Sequence, residues 1–195
     1  MSEERERLKG LLVRYALREN KVVLSDGSTS EYFVESRAVT LSSLGAFLAG
    51  RVFLELFEQE DLRAKAVGGM EGVGALASAI AAVSAMGQPE KRVDAFSIRR
   101  KQGANGHRLW VDGFRHKGPV IVLEEVATSG VATIETIRKV GEVGFIVQAV
   151  VALVDREEGA AGKVKSVCPF YTLYRAQELF DYKAELTDQK LSIIR

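Results

Sequence analysis

The sequence predicts an α/β fold, a central and mostly parallel sheet flanked by helices. Helical and extended patterns alternate along most of the chain. Several extended runs, such as VIVL at 120–123 and FIVQAVVALVD at 145–155, are apolar at successive positions rather than at every second one. A strand buried on both faces reads in this way, and such strands belong to parallel sheets covered by crossover helices. With only 3 prolines, no internal repeat and no low-complexity tract, nothing serves as a linker, so residues 1–195 are read as one domain.

The elements follow in order. Leu8, Leu11, Leu12, Tyr15 and Ala16 recur at i, i+3, i+4, i+7 and i+8, the apolar stripe of a first helix. KVVLSDGSTSEYFVESR reads as two short strands around a turn at Asp26–Gly27. Ser42 or Ser43 caps a helix from about Leu44 to Glu58, whose Leu44, Phe47, Leu48 and Val52 suit a core or a subunit contact better than a cofactor pocket. KAVGG is a short strand, and GVGALASAIAAVSAMG is a helix of small residues able to pack closely on a sheet. VDAFSIRR is a strand, followed by the polar KQGANGHR, and Trp110–Val111 precede a turn at Asp112–Gly113. Val120–Leu123 is a strongly apolar strand, a helix spans Val131–Val143 and stops near Gly144, and FIVQAVVALVD is the next buried strand. VCPFYTLY is a last strand, with a short helix near Ala176–Tyr182.

Composition narrows the function classes. Lys plus Arg number 27 against 26 Asp plus Glu, so no overall charge points to nucleic acid or an anionic membrane. RRKQGANGHR is the one dense basic run. It reads as a solvated surface, because no aromatic interleaves with it before Trp110 to stack on bases. One cysteine, Cys168, and two histidines leave no disulfide and few soft metal ligands. The charged start MSEERERLKG is unlike a signal peptide and no run approaches 18 apolar residues, so the expected compartment is the cytoplasm.

The stretch that carries chemistry is VIVLEEVATSGVATIETI at 120–137. Two carboxylates, Glu124 and Glu125, follow an apolar strand, and a turn of small residues then leads into a helix. Ligands of parallel sheets sit beyond the carboxyl ends of the strands. A helix N-terminus offers free N–H groups and a positive dipole end to an anion, Thr128, Ser129 and Thr133 add hydroxyls, and Gly130 allows close backbone approach. Carboxylates are poor partners for phosphate but can accept hydrogen bonds from sugar hydroxyls or balance positive charge on a sugar carbon. A phosphorylated ribose fits both halves. An acidic turn before an ordinary helix cap is the bland alternative, and the GxxxxGK[ST] spacing of a P-loop is absent.

The same stretch resembles the phosphoribosyl diphosphate signature of type I phosphoribosyltransferases. Further segments resemble the orotate phosphoribosyltransferases among them. LSDGSTSEYFVESRAVTL is similar to their N-terminal ligand loop and strand pair, VGGMEGVGALASAIA to the pyrophosphate loop, SIRRKQGANGHRLWVDG to the mobile catalytic loop, and ALVDREEGA to the base-side strand end. The resemblance covers most of residues 10–160 in the family's order. It implies the type I phosphoribosyltransferase fold with a small N-terminal hood region. The implied activity is transfer of ribose 5-phosphate from phosphoribosyl diphosphate to orotate, with Mg²⁺, in pyrimidine nucleotide synthesis. No side chain is assigned as a metal ligand, and a homodimer is implied. Glu124 and Glu125 would hold the ribose hydroxyls and stabilise an oxocarbenium-like carbon. Thr128, Ser129, Gly130, Val131 and Ala132 would cradle the 5-phosphate. Arg99, with Arg100 and Lys101 as catalytic cations, would meet the pyrophosphate, and Arg156 would pair with the orotate carboxylate. Pairing of Arg156 with Asp155, Glu157 or Glu158 is the alternative.

The chain departs from the family in two places. The family usually carries two aspartates where Glu124 and Glu125 stand, and a shift of about 1 Å at a reacting centre can cost about 10²-fold in rate. Its mobile loop usually reads R-K-E-x-K-x-H-G, whereas here Arg100, Gly103 and Asn105 occupy the two lysine positions and the histidine position. Loss of one charged donor to a developing anion typically costs on the order of 10²–10³ in rate. Lys101, His107 or Arg108 could substitute if the loop register slips. The alternatives to an orotate enzyme are therefore a non-catalytic protein that binds phosphoribosyl diphosphate or a nucleotide, and a transferase for another base.

Overall fold

The computed structural model describes residues 2–23, 29–99, 111–115 and 117–193. Helix α1 (Glu3–Leu11) begins at Ser2, whose hydroxyl accepts from the Arg5 N–H at 3.3 Å, and Glu3, Glu4 and Glu6 lie at the positive end of its dipole. It continues into one π-helical turn, Leu12–Ala16. The wider turn shifts the phase of the apolar stripe. Leu8, Leu12 and Ala16 are fully buried, but Tyr15, expected on the same face, is 43% exposed.

The N-terminal hood follows. β1 (Leu17–Arg18) pairs antiparallel with β4 (Phe33–Val34), and β2 (Val22–Val23) pairs antiparallel with β3 (Thr29–Ser30). β2 and β3 are the two strands expected around Asp26–Gly27, a turn outside the described residues. A single helical turn, α2 (Arg37–Thr40), was not expected, and it leads to α3 (Ser43–Gln59). Ser42 caps α3 by accepting from the Gly45 N–H at 3.1 Å. Leu48 and Val52 enter the core, whereas Leu44 and Phe47 remain 44% and 42% exposed.

The main sheet is assembled from β5 (Ala66–Met70), β6 (Asp94–Ile98), β7 (Val111–Gly113), β8 (Pro119–Ala127), β9 (Ile146–Asp155) and β10 (Phe170–Arg175). The strand order is β10-β9-β8-β5-β6-β7, and every pair is parallel except β6 with β7. β7 corrects the turn expected at Asp112–Gly113. Pairing with the free edge of β6 overrides the local preference of Asp-Gly, and Gly113 supplies a φ of +85° where the strand ends. Helices α4 (Gly74–Ser84), α5 (Val131–Glu142), α6 (Ala160–Lys165) and α7 (Ala176–Ile193) complete the layers. α7 runs well past Tyr182, where a short helix was expected, because neither Gly nor Pro interrupts the helix-forming residues that follow.

Alternation along the strands divides the core in two. Val67, Ile121, Leu123, Val151 and Leu153 face α1, α3 and α7; Ala66, Val120, Val122, Val150 and Ala152 face α5 and α6. Tyr174, at the end of β10, is fully buried and donates its hydroxyl to the Arg5 carbonyl at 2.7 Å. Burial pushes its pKa well above the ordinary value near 10. The folded chain therefore keeps a proton that the unfolded chain loses, so this contribution to stability is complete below about pH 10 and declines above it. Denaturant unfolding across alkaline pH is expected to show that decline, and Tyr174→Phe to flatten it while lowering neutral-pH stability by about 0.5–1.5 kcal/mol through the lost hydrogen bond.

Candidate active site

The chain leaves β5 towards β6 on one side and β8 towards β9 and β10 on the other, so the direction of winding reverses between β5 and β8. A doubly wound sheet opens a crevice at such a point, beyond the carboxyl ends of its strands. β8 pairs with β5 only from Val120 to Val122, whereas its pairing with β9 continues to Ala127. Among the described residues, the last part of β8 thus lacks a ladder partner on its β5 side.

Glu124 and Glu125 lie in that part, inside the strand rather than at its tip. Adjacent strand residues point to opposite faces, which separates the pair. Glu124 takes the α5 face and accepts from the Thr133 hydroxyl at 2.8 Å, the Thr133 side chain being buried in the first turn of α5. Glu125 takes the other face, where α2 receives it. Its Oε2 accepts from Ser36 at 3.1 Å, its Oε1 accepts from Thr40 at 3.1 Å, and the Arg37 guanidinium lies 3.5 Å from Oε2. Arg37 also donates to the Gly72 carbonyl at 3.3 Å, joining α2 to the loop after β5. Sequence reasoning missed Ser36, Arg37 and Thr40. Their one signal was two hydroxyls at i and i+4, and the partner lies 85 and 89 residues away.

The turn 128–130 joins β8 to α5, and Gly130 stands at the helix start with φ +75°. Glycine is favoured there twice over, by that φ and because a Cβ at this position would lie only 3.0 Å from Ala160 Cα. Val131 and Ala132 begin α5 and are exposed, as is Ser129, while Thr128 is half-buried. The first-turn N–H groups precede any intrahelical acceptor, as anion binding needs. The turn is fastened to the loop after β9, since Arg156 N–H donates to the Ala127 carbonyl and Ala160 N–H to the Thr128 carbonyl, both at 2.9 Å.

Arg156 is only 5% exposed. Its Nη2 donates to Ser30 Oγ at 2.6 Å and pairs with Glu158 at 2.7 Å, and the guanidinium lies over the Tyr32 ring at 4.3 Å. The pairing with Glu158 left open by the sequence is formed, but on a buried arginine instead of a solvated one. Its Nε is buried and, among the described residues, has no acceptor. Ser30 and Tyr32 were not anticipated as its partners. Arg99, just after β6, forms a two-pronged pair with Asp112 of β7 at 2.8 and 3.3 Å, and the Asp112 carboxylate holds its pKa above the ordinary value, with a smaller contribution from Glu71. Arg100 and Lys101, together with Gly103, Asn105, His107 and Arg108, lie outside the described residues. Among the described residues, no three His, Cys, Asp or Glu side chains converge as a metal site.

No family model matches the chain. Individual relatives do match it. The orotate phosphoribosyltransferase of Streptomyces coelicolor is 34% identical over 182 residues, 92% of this chain and 98% of the relative. That of Thermosynechococcus vestitus is 31% identical over 186 residues, 93% and 96% of the two chains. The chain belongs to the orotate phosphoribosyltransferase family. Among solved structures, Mycobacterium tuberculosis H37Rv orotate phosphoribosyltransferase in complex with 5-phospho-alpha-D-ribosyl 1-diphosphate has a TM-score of 0.71 and 28% identity, covering 90% of this chain and 98% of that one. Its Fe(III) dicitrate complex has a TM-score of 0.76 and 29% identity over the same shares. The sheet flanked by helices is thus the type I phosphoribosyltransferase fold.

Within this orotate phosphoribosyltransferase framework, Gly130→Ala is expected to lose about 1–2 kcal/mol of stability from its left-handed backbone, read by denaturant unfolding.

Proposed function

We propose that this member of the orotate phosphoribosyltransferase family transfers ribose 5-phosphate from phosphoribosyl diphosphate to N1 of orotate, giving orotidine 5′-phosphate and pyrophosphate. The observation that carries the proposal is Arg156, a buried guanidinium whose Nε has no acceptor and whose loop is hydrogen-bonded to the Thr128–Gly130 turn. An unsatisfied buried N–H costs about 1–3 kcal/mol, and a planar carboxylate is its natural acceptor. Orotate carries such a carboxylate.

The remaining residues take the roles that the resemblance implies. Thr128, Ser129, Gly130, Val131 and Ala132 hold the 5-phosphate by hydroxyls and helix N–H groups. Glu124 and Glu125, on opposite faces of β8, accept the ribose hydroxyls and balance positive charge as the C1–oxygen bond breaks. The electron pair leaves with pyrophosphate, the N1–C1 bond forms, and the N1 proton is released. Arg99, Arg100 and Lys101 meet the departing diphosphate. Mg²⁺ is commonly held by one or two carboxylates together with substrate phosphates rather than by a protein cage. Glutamates divided between two faces, with no three-ligand cluster among the described residues, suit a metal that arrives on the diphosphate, where it would neutralise leaving-group charge. The same reading makes the protein a cytoplasmic homodimer. Leu44 and Phe47 offer an apolar face to a second copy, and no described helix is long and apolar enough to cross a membrane.

The test is loss of orotate absorbance with phosphoribosyl diphosphate, with and without Mg²⁺. Metal-dependent turnover is expected. Arg156→Gln is expected to raise KM for orotate by about tenfold to a hundredfold, the worth of a charge-assisted hydrogen bond of about 1.5–3 kcal/mol. Tight binding of phosphoribosyl diphosphate without turnover on any base would instead favour a non-catalytic binding protein, and turnover on another base alone would replace orotate as the acceptor.

A further inference from the structure

Glu125 is anchored through both of its carboxylate oxygens. Its side chain is 13% exposed, and both oxygens are engaged from a single helical turn. The two hydroxyls that reach it, Ser36 and Thr40, are themselves 4% and 2% exposed. Arg37 supplies the charge on the same side and ties the arrangement to Gly72.

A glutamate has three side-chain torsions, and left alone on an open strand it would place its carboxylate over a range of several ångströms. One hydroxyl on each oxygen fixes both the position of the carboxylate and the orientation of its plane. A carboxylate offers about four acceptor directions. Ser36 and Thr40 take one on each oxygen, and Arg37 adds positive charge beside Oε2 at 3.5 Å. The strand that displays Glu125 cannot do this, because neighbours along a strand point the other way. Only an element covering that face can, and α2 is the one that does.

We propose that Thr40 and Ser36 are positioning residues that aim the Glu125 carboxylate at the ribose of bound phosphoribosyl diphosphate. This rests on the reading of the site as a phosphoribosyl diphosphate site. The α2 turn therefore contributes to catalysis through Glu125 without touching substrate. Arg37 has a second consequence: it links this carboxylate to the loop after β5, so the ribose side of the crevice is set from α2 and β5 together.

The experiment compares Thr40→Val, Thr40→Ser and Ser36→Ala in the chain as it stands and in a Glu125→Ala background, reading kcat, KM for phosphoribosyl diphosphate, its calorimetric Kd with Mg²⁺ and the melting temperature. Thr40→Val is expected to lower kcat/KM for phosphoribosyl diphosphate by about 10–10²-fold, the scale of a carboxylate displaced by about 1 Å. Thr40→Ser, which keeps the hydroxyl, is expected to recover most of that loss, and Ser36→Ala to show a smaller one. In the Glu125→Ala background Thr40→Val is expected to add nothing, since residues acting through one another are not additive. A Thr40→Val variant that melts earlier but keeps its kcat/KM, or that costs as much without Glu125 as with it, overturns the proposal and leaves α2 as an anchor of the hood. If the unsubstituted chain binds phosphoribosyl diphosphate but turns over no base, the catalytic reading fails alone, and the same comparison on Kd decides the role of Thr40. If it binds none, both fall together.

Discussion

Successive residues of a strand face opposite ways, and in β8 both faces are covered. Val120 and Val122 pack towards α5 and α6, and Ile121 and Leu123 towards α1, α3 and α7. The same alternation continues past the apolar part and sends Glu124 and Glu125 into different surroundings. The pair is therefore not one acidic cluster. Each acid has its own neighbours and its own means of being held, on the two sides of a single strand. The site depends on this constraint because the parallel ladder with β9 sets Glu124 opposite Ala152 and so fixes the phase of β8 where the acids begin.

Polar groups taken out of water need partners, and the N-terminal hood provides them here. Ser30 and Tyr32 receive the Arg156 guanidinium, while Ser36, Arg37 and Thr40 receive Glu125. Buried charges are tolerated when they are paired and hydrogen-bonded. The short strands and single helical turn of residues 17–40 gain little from their own backbone pairing. Packing on the main body holds them, through contacts such as the Tyr32 ring edge-on to Phe180 at 5.0 Å.

Much of the scaffold was legible in the sequence because it is written in local patterns. The buried runs of β8 and β9, the Ser42 cap and the small-residue turn before α5 all stand where those patterns placed them. What was not legible depended on distance. Asp112–Gly113 has the chemistry of a turn, and only the neighbouring edge of β6 makes it a strand. Tyr15 fits the first apolar stripe until a π-turn rotates it outward. The α2 turn has no periodicity of its own, and its purpose emerges only when a strand from beyond residue 119 is laid against it.

The turn at 128–130 and the loop at 156–160 are sewn together by two backbone hydrogen bonds and by the close seating of Gly130 on Ala160. This has a bearing on how such a protein can diversify. A lengthened loop at 156–160 would drag the 128–130 turn with it. New specificities on this scaffold are therefore more accessible by exchanging side chains within a loop of constant length than by remodelling its backbone. Lineages that alter the acceptor are expected to keep the spacing from Ala127 to Ala160 while the residues between them drift.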